Sequence, residues 1–361
     1  MTHPLRRRTL LAAGLLGSST LASAQTPPRP AASRPAGTPA PARAGAAPAA
    51  AAAAAAPRVA PAAAGAWPTQ TVKILVGFPA GSTPDLSARI LAEALAKPLG
   101  QSVVVENRPG ASGNIAADLV AKARDDHTLG VVINGNLTSA RMLNPKLPFD
   151  PAKDFTLLSL LTTAPLALVT QASQPAGAEF FTAARDAGKK WNYGSVGIGS
   201  VGHLGLEYLK SKAGRFEAVH VPYNGNPAVI TALIQGDVQM ALMPPGIALP
   251  QIRAGKLRAI GLTGGRSTLA PEIPSLQSLG VPLYDLEVWT ALVGPASLSA
   301  AAQARLAAEV PAQVRSAEVR QRLFNAGWQA QGSAPEGLKL RVKSETAVMG
   351  GIIAMQGITA Q

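Results

Sequence analysis

Residues 72–95 read VKILVGFPAGSTPDLSARILAEAL: a strand of buried type runs through a Gly/Ser/Thr turn straight into an amphipathic helix. Such a turn aims several backbone N–H groups, at the positive end of a helix dipole, toward one point where an anion can sit. The expected guest is a carboxylate. The same grammar recurs along the chain, with candidate strands at 72–78, 102–106, 129–133, 166–170, 191–195, 218–221, 238–242, 257–263 and 289–293. Helical periodicity lies between them, at Leu86, Ile90, Leu91 and Ala94, at Ile115, Leu119, Val120 and Ala123, and at Leu204, Leu206, Leu209 and Lys210. Strands alternating with helices predict an α/β fold of mainly parallel sheets covered by helices.

Three alanine-rich helical stretches, 300–314, 317–326 and 335–355, follow the last candidate strand and need a sheet to pack on. The simplest arrangement returns the chain to its first domain. That predicts one domain from 67–168 plus 288–361 and an inserted second domain at 169–287, joined by two crossing strands that form a hinge.

The N-terminus reads as an export signal over 1–24: Arg6, Arg7 and Arg8, a short apolar run, then Ala22-Ser23-Ala24 as a cleavage pattern. Both a secretory and a twin-arginine route stay open. Residues 25–66 are nearly all Ala, Pro, Gly and Arg and cannot bury a core, so a tether is expected there. The net charge of +13 is inflated by this region, because seven arginines and no acids precede Trp67, leaving 26 Lys and Arg against 20 Asp and Glu beyond it. The scattered basic residues and sparse aromatics argue against nucleic acid as a partner. There is no cysteine, so disulfides, thiolate nucleophiles and a lipid-anchoring cysteine are excluded. A soluble, monomeric product in the periplasm is expected.

Four loops carry the strand–small polar–helix form: 78–85, 134–138, 195–203 and 223–227. In an open parallel sheet such loops gather at the carboxyl ends of the strands, where ligands bind; equally, Gly, Ser and Asn simply make turns and cap helices. A fifth, NRPGASGN, offers Arg108, which can steer an anion or pair with Glu106. Gly197 to Gly202 spell GxGxxG, but the match is not in the first strand-to-helix turn of its domain and lacks the acidic residue at the end of the next strand. A dinucleotide-binding exported oxidoreductase is therefore the weaker alternative. No G-x-S-x-G, Walker or H-E-x-x-H motif occurs, and no metal-ligand cluster or cofactor site is expected. His203 can hydrogen-bond a carboxylate or cap the helix it begins, Trp289 reads as core, and Tyr223 is the better pocket aromatic.

Taken together, GFPAGSTPDLSARILAEAL, VVVENRPGASGNIAADLVAKA, LPFDPAKDFTLLSLL, WNYGSVGIGSVGHLGLEYLKSKAG, HVPYNGNPAVITALIQGDVQMAL and IRAGKLRAIGLT make the chain resemble the Bug-type receptors of tripartite tricarboxylate transporters. The resemblance implies a two-lobed fold of the periplasmic-binding-protein kind (type II) that closes on a small organic carboxylate. It implies no enzyme activity, and membrane permease subunits as partners; a ligand sensor for a signalling kinase would share the fold. Carried over residue by residue, it places Phe78, Ala80, Gly81, Ser82 and Thr83 on one carboxylate, with Asp85 ordering the helix. Across from them it places Ser195, Gly199, Ser200, Val201 and His203, with Tyr223, Asn224 and, from the first lobe, Asn134. Relatives often show consecutive glycines in the first loop and Asn or Asp where this chain has Met243-Pro244-Pro245. The second departure removes a polar group and suggests a less polar or differently shaped ligand.

Overall fold

The alternating segments assemble into two sheets in a computed structural model that describes residues 67–282 and 284–359. The signal and tether read at 1–24 and 25–66 lie outside the described residues. The strands are β1 (Val72–Val76), β2 (Val103–Asn107), β3 (Thr128–Ile133), β4 (Phe155–Pro165), β5 (Ala167–Gln171), β6 (Asn192–Ser195), β7 (Val219–Pro222), β8 (Met240–Met243), β9 (Leu257–Leu262), β10 (Glu287–Pro295) and β11 (Gln329–Ala330). The helices are α1 (Thr83–Leu99), α2 (Asn114–Ala121), α3 (Asn134–Leu137), α4 (Ala140–Leu143), α5 (Glu179–Ala187), α6 (Val201–Lys212), α7 (Asn226–Gln235), α8 (Pro245–Arg253), α9 (Ala300–Val314), α10 (Ala317–Asn325) and α11 (Pro335–Gln356).

The first sheet has the order β11-β4-β10-β3-β1-β2 and the second β7-β6-β8-β5-β9. β1 pairs in parallel with β2 and β3, as β6 does with β7 and β8. In the middle of each sheet one strand runs against its neighbours: β10 between β3 and β4, β5 between β8 and β9. These are the strands that arrive from the other sheet. A strand entering from the neighbouring lobe starts at the opposite end of the sheet from its parallel strands and so runs the opposite way; the two-residue edge strand β11, which follows α10, also pairs antiparallel, with β4. Thr263, buried after β9, ties the two passages together. Its Oγ1 accepts from the Leu166 N–H (2.8 Å) and donates to the Leu286 carbonyl (2.5 Å), while its own N–H donates to the Leu166 carbonyl (2.8 Å).

Two strands fall outside the nine predicted. β4, FTLLSLLTTAP, is buried along most of its length, so its sequence has neither polar alternation nor a helical period to mark it. β11 is only two residues long. Helix α2 also differs from expectation: Ala116, Ala117, Val120 and Ala121 face inward, while Ile115 and Leu119 are 47 % and 45 % exposed. The small residues let the helix lie close to the sheet, where Gly130 of β3 comes directly under Val120.

The C-terminal helices match their predicted spans closely. Ser299 and Ser316 start α9 and α10 by accepting the N–H of Ala302 and Val319, caps worth about 1 kcal/mol each. α11 packs on β4 of the first sheet and on α6 of the second, so it touches both lobes.

Candidate functional site

The first turn is built around a buried acid. Asp85, 1 % exposed, accepts from the Gly81 N–H (2.8 Å), Arg89 Nε (3.0 Å) and Asn107 Nδ2 (2.8 Å), and Asn107 Nδ2 also donates to the Phe78 carbonyl (2.9 Å). Burial pushes the Asp85 carboxyl up, but these hydrogen bonds outweigh it and leave the group below the usual carboxylate range. Gly81 adopts φ +77°, the left-handed conformation that lets its N–H turn back to Asp85. The Ser82 N–H donates to the Pro79 carbonyl (3.1 Å). What remains for a ligand is the Ser82 hydroxyl, 1 % exposed and without a hydrogen-bond partner, together with N–H groups in the first turn of α1.

The second-lobe turn between β6 and α6 is held differently. Ser200 Oγ accepts the His203 N–H (3.3 Å) and donates to the Gly197 carbonyl (2.7 Å), and the Gly199 N–H donates to His203 Nδ1 (3.2 Å). His203 stacks on His220 with ring centres 4.1 Å apart, and His220 Nε2 lies 2.7 Å from Ser195 Oγ. Beneath them Tyr193 Oη and Lys210 Nζ both donate to Glu207 Oε1 (2.5 and 2.7 Å). Burial pulls His203 down to about 4, Glu207 pulling the other way; burial, then His203 and Lys210, pull His220 down to about 3. Both imidazoles are neutral at ordinary pH.

The lobes meet through these loops. Asn226 Nδ2, at the start of α7, donates to Thr83 Oγ1 (3.0 Å), and Ser139 Oγ donates to the Gly199 carbonyl (2.6 Å). Gly135 of α3 approaches Gly199 so closely that a Cβ there would stand 2.9 Å from the Gly199 oxygen. Between the lobes lies a cleft of about 40 Å³, lined from the first lobe by Phe78, Ser82, Thr83, Pro84, Ile133, Val288 and Trp328. Leu166, at one of the passages, completes that wall. The second lobe adds Val196, Ser200, Val201, Gly202, Gly225, Asn226, Leu242 and Pro244. Besides the Trp328 indole N–H, only Ser82, Thr83, Ser200 and Asn226 bring polar side-chain groups, and none of the lining residues is charged.

Of the residues read from the sequence, Phe78, Ser82, Thr83, Ser200 and Val201 line this cleft. Gly199 and Asn224 line narrow pockets beside it, Gly199 with Ser112 and Asn136, Asn224 with Phe78 and Pro109. Ala80 and Gly81 are exposed on the turn. Ser195 and His203 are buried against His220, and Tyr223 packs half-buried on the second-lobe core. Asn134 turns elsewhere: its Nδ2 donates to Glu345 Oε1 (2.6 Å) and the Glu287 carbonyl (3.2 Å). Glu345 also accepts from Trp289 Nε1 (2.5 Å) and Arg341 Nε (3.2 Å), and burial raises its carboxyl despite these bonds. Trp289 is wholly buried, and Arg108 pairs with Glu106 (3.0 Å).

Sequence reasoning missed Asn226 and Trp328. Asn226 sits inside the 223–227 loop, just before Pro227, where the helix-start signal was legible but its reach across the lobes was not. Trp328 has no local signal, since its Nε1 donates to the Thr83 carbonyl (3.3 Å), 245 positions away. The GxGxxG turn, for its part, is filled: a Cβ on Gly197 would stand 2.0 Å from Ser112 Oγ, and Ser139 holds the Gly199 carbonyl. First-lobe side chains thus stand directly against two of the motif's three glycines.

Residues 87–358 match the family described as the tripartite tricarboxylate transporter family receptor. A protein from Pseudomonas sp. strain P51, named UPF0065 protein in tcbD-tcbE intergenic region, is 33 % identical over 290 residues, covering 78 % of this chain and 84 % of that one. Among solved structures, R. palustris Rpa4515 with adipate is 30 % identical with a TM-score of 0.78, covering 82 % of this chain and 100 % of that one. MatC from Rhodopseudomonas palustris with bound malate is 31 % identical with a TM-score of 0.75, covering 80 % and 100 %. Ordered motifs, two sheets linked by two reversed strands, and helix starts converging between the lobes agree with these matches, and the chain belongs to the tripartite tricarboxylate transporter receptor family.

Proposed function

We propose that this chain captures a small organic carboxylate between its lobes in the periplasm and delivers it to the membrane permease subunits of a tripartite tricarboxylate-type transporter. The single observation that carries the reading is Ser82 Oγ, a buried hydroxyl with no partner at the start of α1, lining one cleft with Ser200 from the start of α6. Adipate and malate, the acids bound in two similar structures, support the carboxylate class. The protein acts by binding and catalyses nothing. It is exported with cleavage near Ala24 and works as a monomer, its lobes being 67–168 with 288–361, and 169–287. A ligand that touches both lobes binds their closed arrangement better and shifts the population by that difference in affinity.

The test is a thermal-unfolding screen of the exported chain against small carboxylic acids, in which a ligand at a hundred times its Kd stabilises by about 2.7 kcal/mol. Ser82→Pro and Ser200→Pro, which remove a donor and distort a loop, are expected to weaken binding, with ligand-free unfolding lowered more in Ser200→Pro because that change also removes the cap of α6. Unchanged affinity in both would count against the loop assignment. Dinucleotide-dependent stabilisation would favour the oxidoreductase alternative.

A further inference from the structure

Resting on the carboxylate reading above, we propose that the ligand is a monocarboxylic acid with an apolar body, and that short diacids and hydroxylated triacids are poor ligands. The polar complement of the cleft suffices for one carboxylate. Ser82 Oγ waits unpartnered, and the starts of α1, α6 and α7 bring backbone donors from both lobes to the same cleft. Beyond these donors the lining is hydrocarbon: Phe78, Ile133, Leu166, Val196, Leu242 and Val288.

The side-chain nitrogens at and around the cleft already have acceptors, and the Thr83 hydroxyl accepts from one of them. Trp328 Nε1 donates to the Thr83 carbonyl, Asn226 Nδ2 to Thr83 Oγ1, and Asn134 Nδ2 to Glu345. Ser195 and His203 are tied into the His220 stack. The fourth helix start, that of α8, brings Pro244 and Pro245, neither of which has an N–H to donate. A second carboxylate placed beyond those helix starts would lie against apolar side chains with no cation beside it, which costs far more than leaving it in water. An apolar body gains from the same walls.

Isothermal titration of the exported chain with hexanoate, benzoate, adipate, succinate and citrate, with hexanamide as the neutral control, separates the possibilities. Hexanoate or benzoate is expected to bind at least about a hundredfold more tightly than any diacid or citrate, the penalty of an unpaired buried charge. Hexanamide is expected not to bind. In Pro244→Asn, which adds a polar group to the wall, the preference for hexanoate over adipate is expected to shrink. Adipate, succinate or citrate binding as well as the monoacids would overturn the monoacid assignment and leave the carboxylate reading standing. If no acid binds, or if hexanamide binds as well as hexanoate, the carboxylate reading itself falls and this inference with it.

Discussion

The two turns that face each other across the cleft share one device and differ in its chemistry. In each, a side chain one helical turn inside the helix reaches back four residues to a glycine N–H: Asp85 to Gly81 in the first lobe, His203 to Gly199 in the second. Asp85 is a charged acceptor with two further side-chain donors on it; His203 is a neutral imidazole stacked on a second one. The starting serines diverge as well. Ser200 closes its own helix cap, whereas Ser82 leaves its hydroxyl unengaged. A strand–turn–helix unit can thus leave its first hydroxyl free or spend it on its own cap, depending on how the rest of the turn is held.

The largest test of the contrast is Asp85→Ala, which strands the Gly81 N–H and Asn107 and frees Arg89. Since Arg89 is nearly half exposed, water relieves part of the loss, and a destabilisation of about 2–3 kcal/mol is expected in urea titration. Asp85→Asn, which keeps an acceptor, should lose less.

Acid separates the two turns next. His203 and His220 titrate at about 4 and about 3 in the folded chain against 6.5 in an unfolded one. The unfolded state therefore binds more protons between those values, so stability is complete above pH 6.5 and is lost as pH falls toward about 4 and below. Asp85, held below 3.8, keeps the first turn intact through most of that window. Unfolding midpoints measured from pH 7 to 4 should fall, and should fall less in His203→Gln; an equal slope in that variant would mean that the stacked pair does not control it.

A smaller and sharper comparison pairs the serines. Ser200→Ala should cost about 1 kcal/mol of stability through its cap, while Ser82→Ala should leave unfolding nearly unchanged and lower affinity for a bound monocarboxylate about tenfold. Reversal of that pattern in paired unfolding and titration measurements would exchange the roles given to the two hydroxyls. Least of all is Arg108→Ala: its ion pair with Glu106 is more than half exposed on the arginine side, so a change under about 0.5 kcal/mol is expected in either measurement.

Much of the architecture was legible because it is local. Nine strands announced themselves by short apolar runs between turn residues, and the C-terminal helices by their period and capping serines. β4 was not, because a strand covered on both faces carries no contrast between inside and outside. In α2 the larger apolar residues were expected to face inward, yet the sheet lies too near to admit them and takes the alanines instead.

At the site the division is the same. The order of residues alone determined that helix starts bearing Ser, Gly and Asn would follow the strands, since capping and turn chemistry depend on neighbours a few positions away. Only the tertiary structure decided which of those polar groups stay available. Asn134 finds Glu345 at a separation of 211 residues, and Trp328 finds Thr83 at 245. Competition for a hydrogen bond among groups so distant along the chain is settled by packing, which no local pattern records.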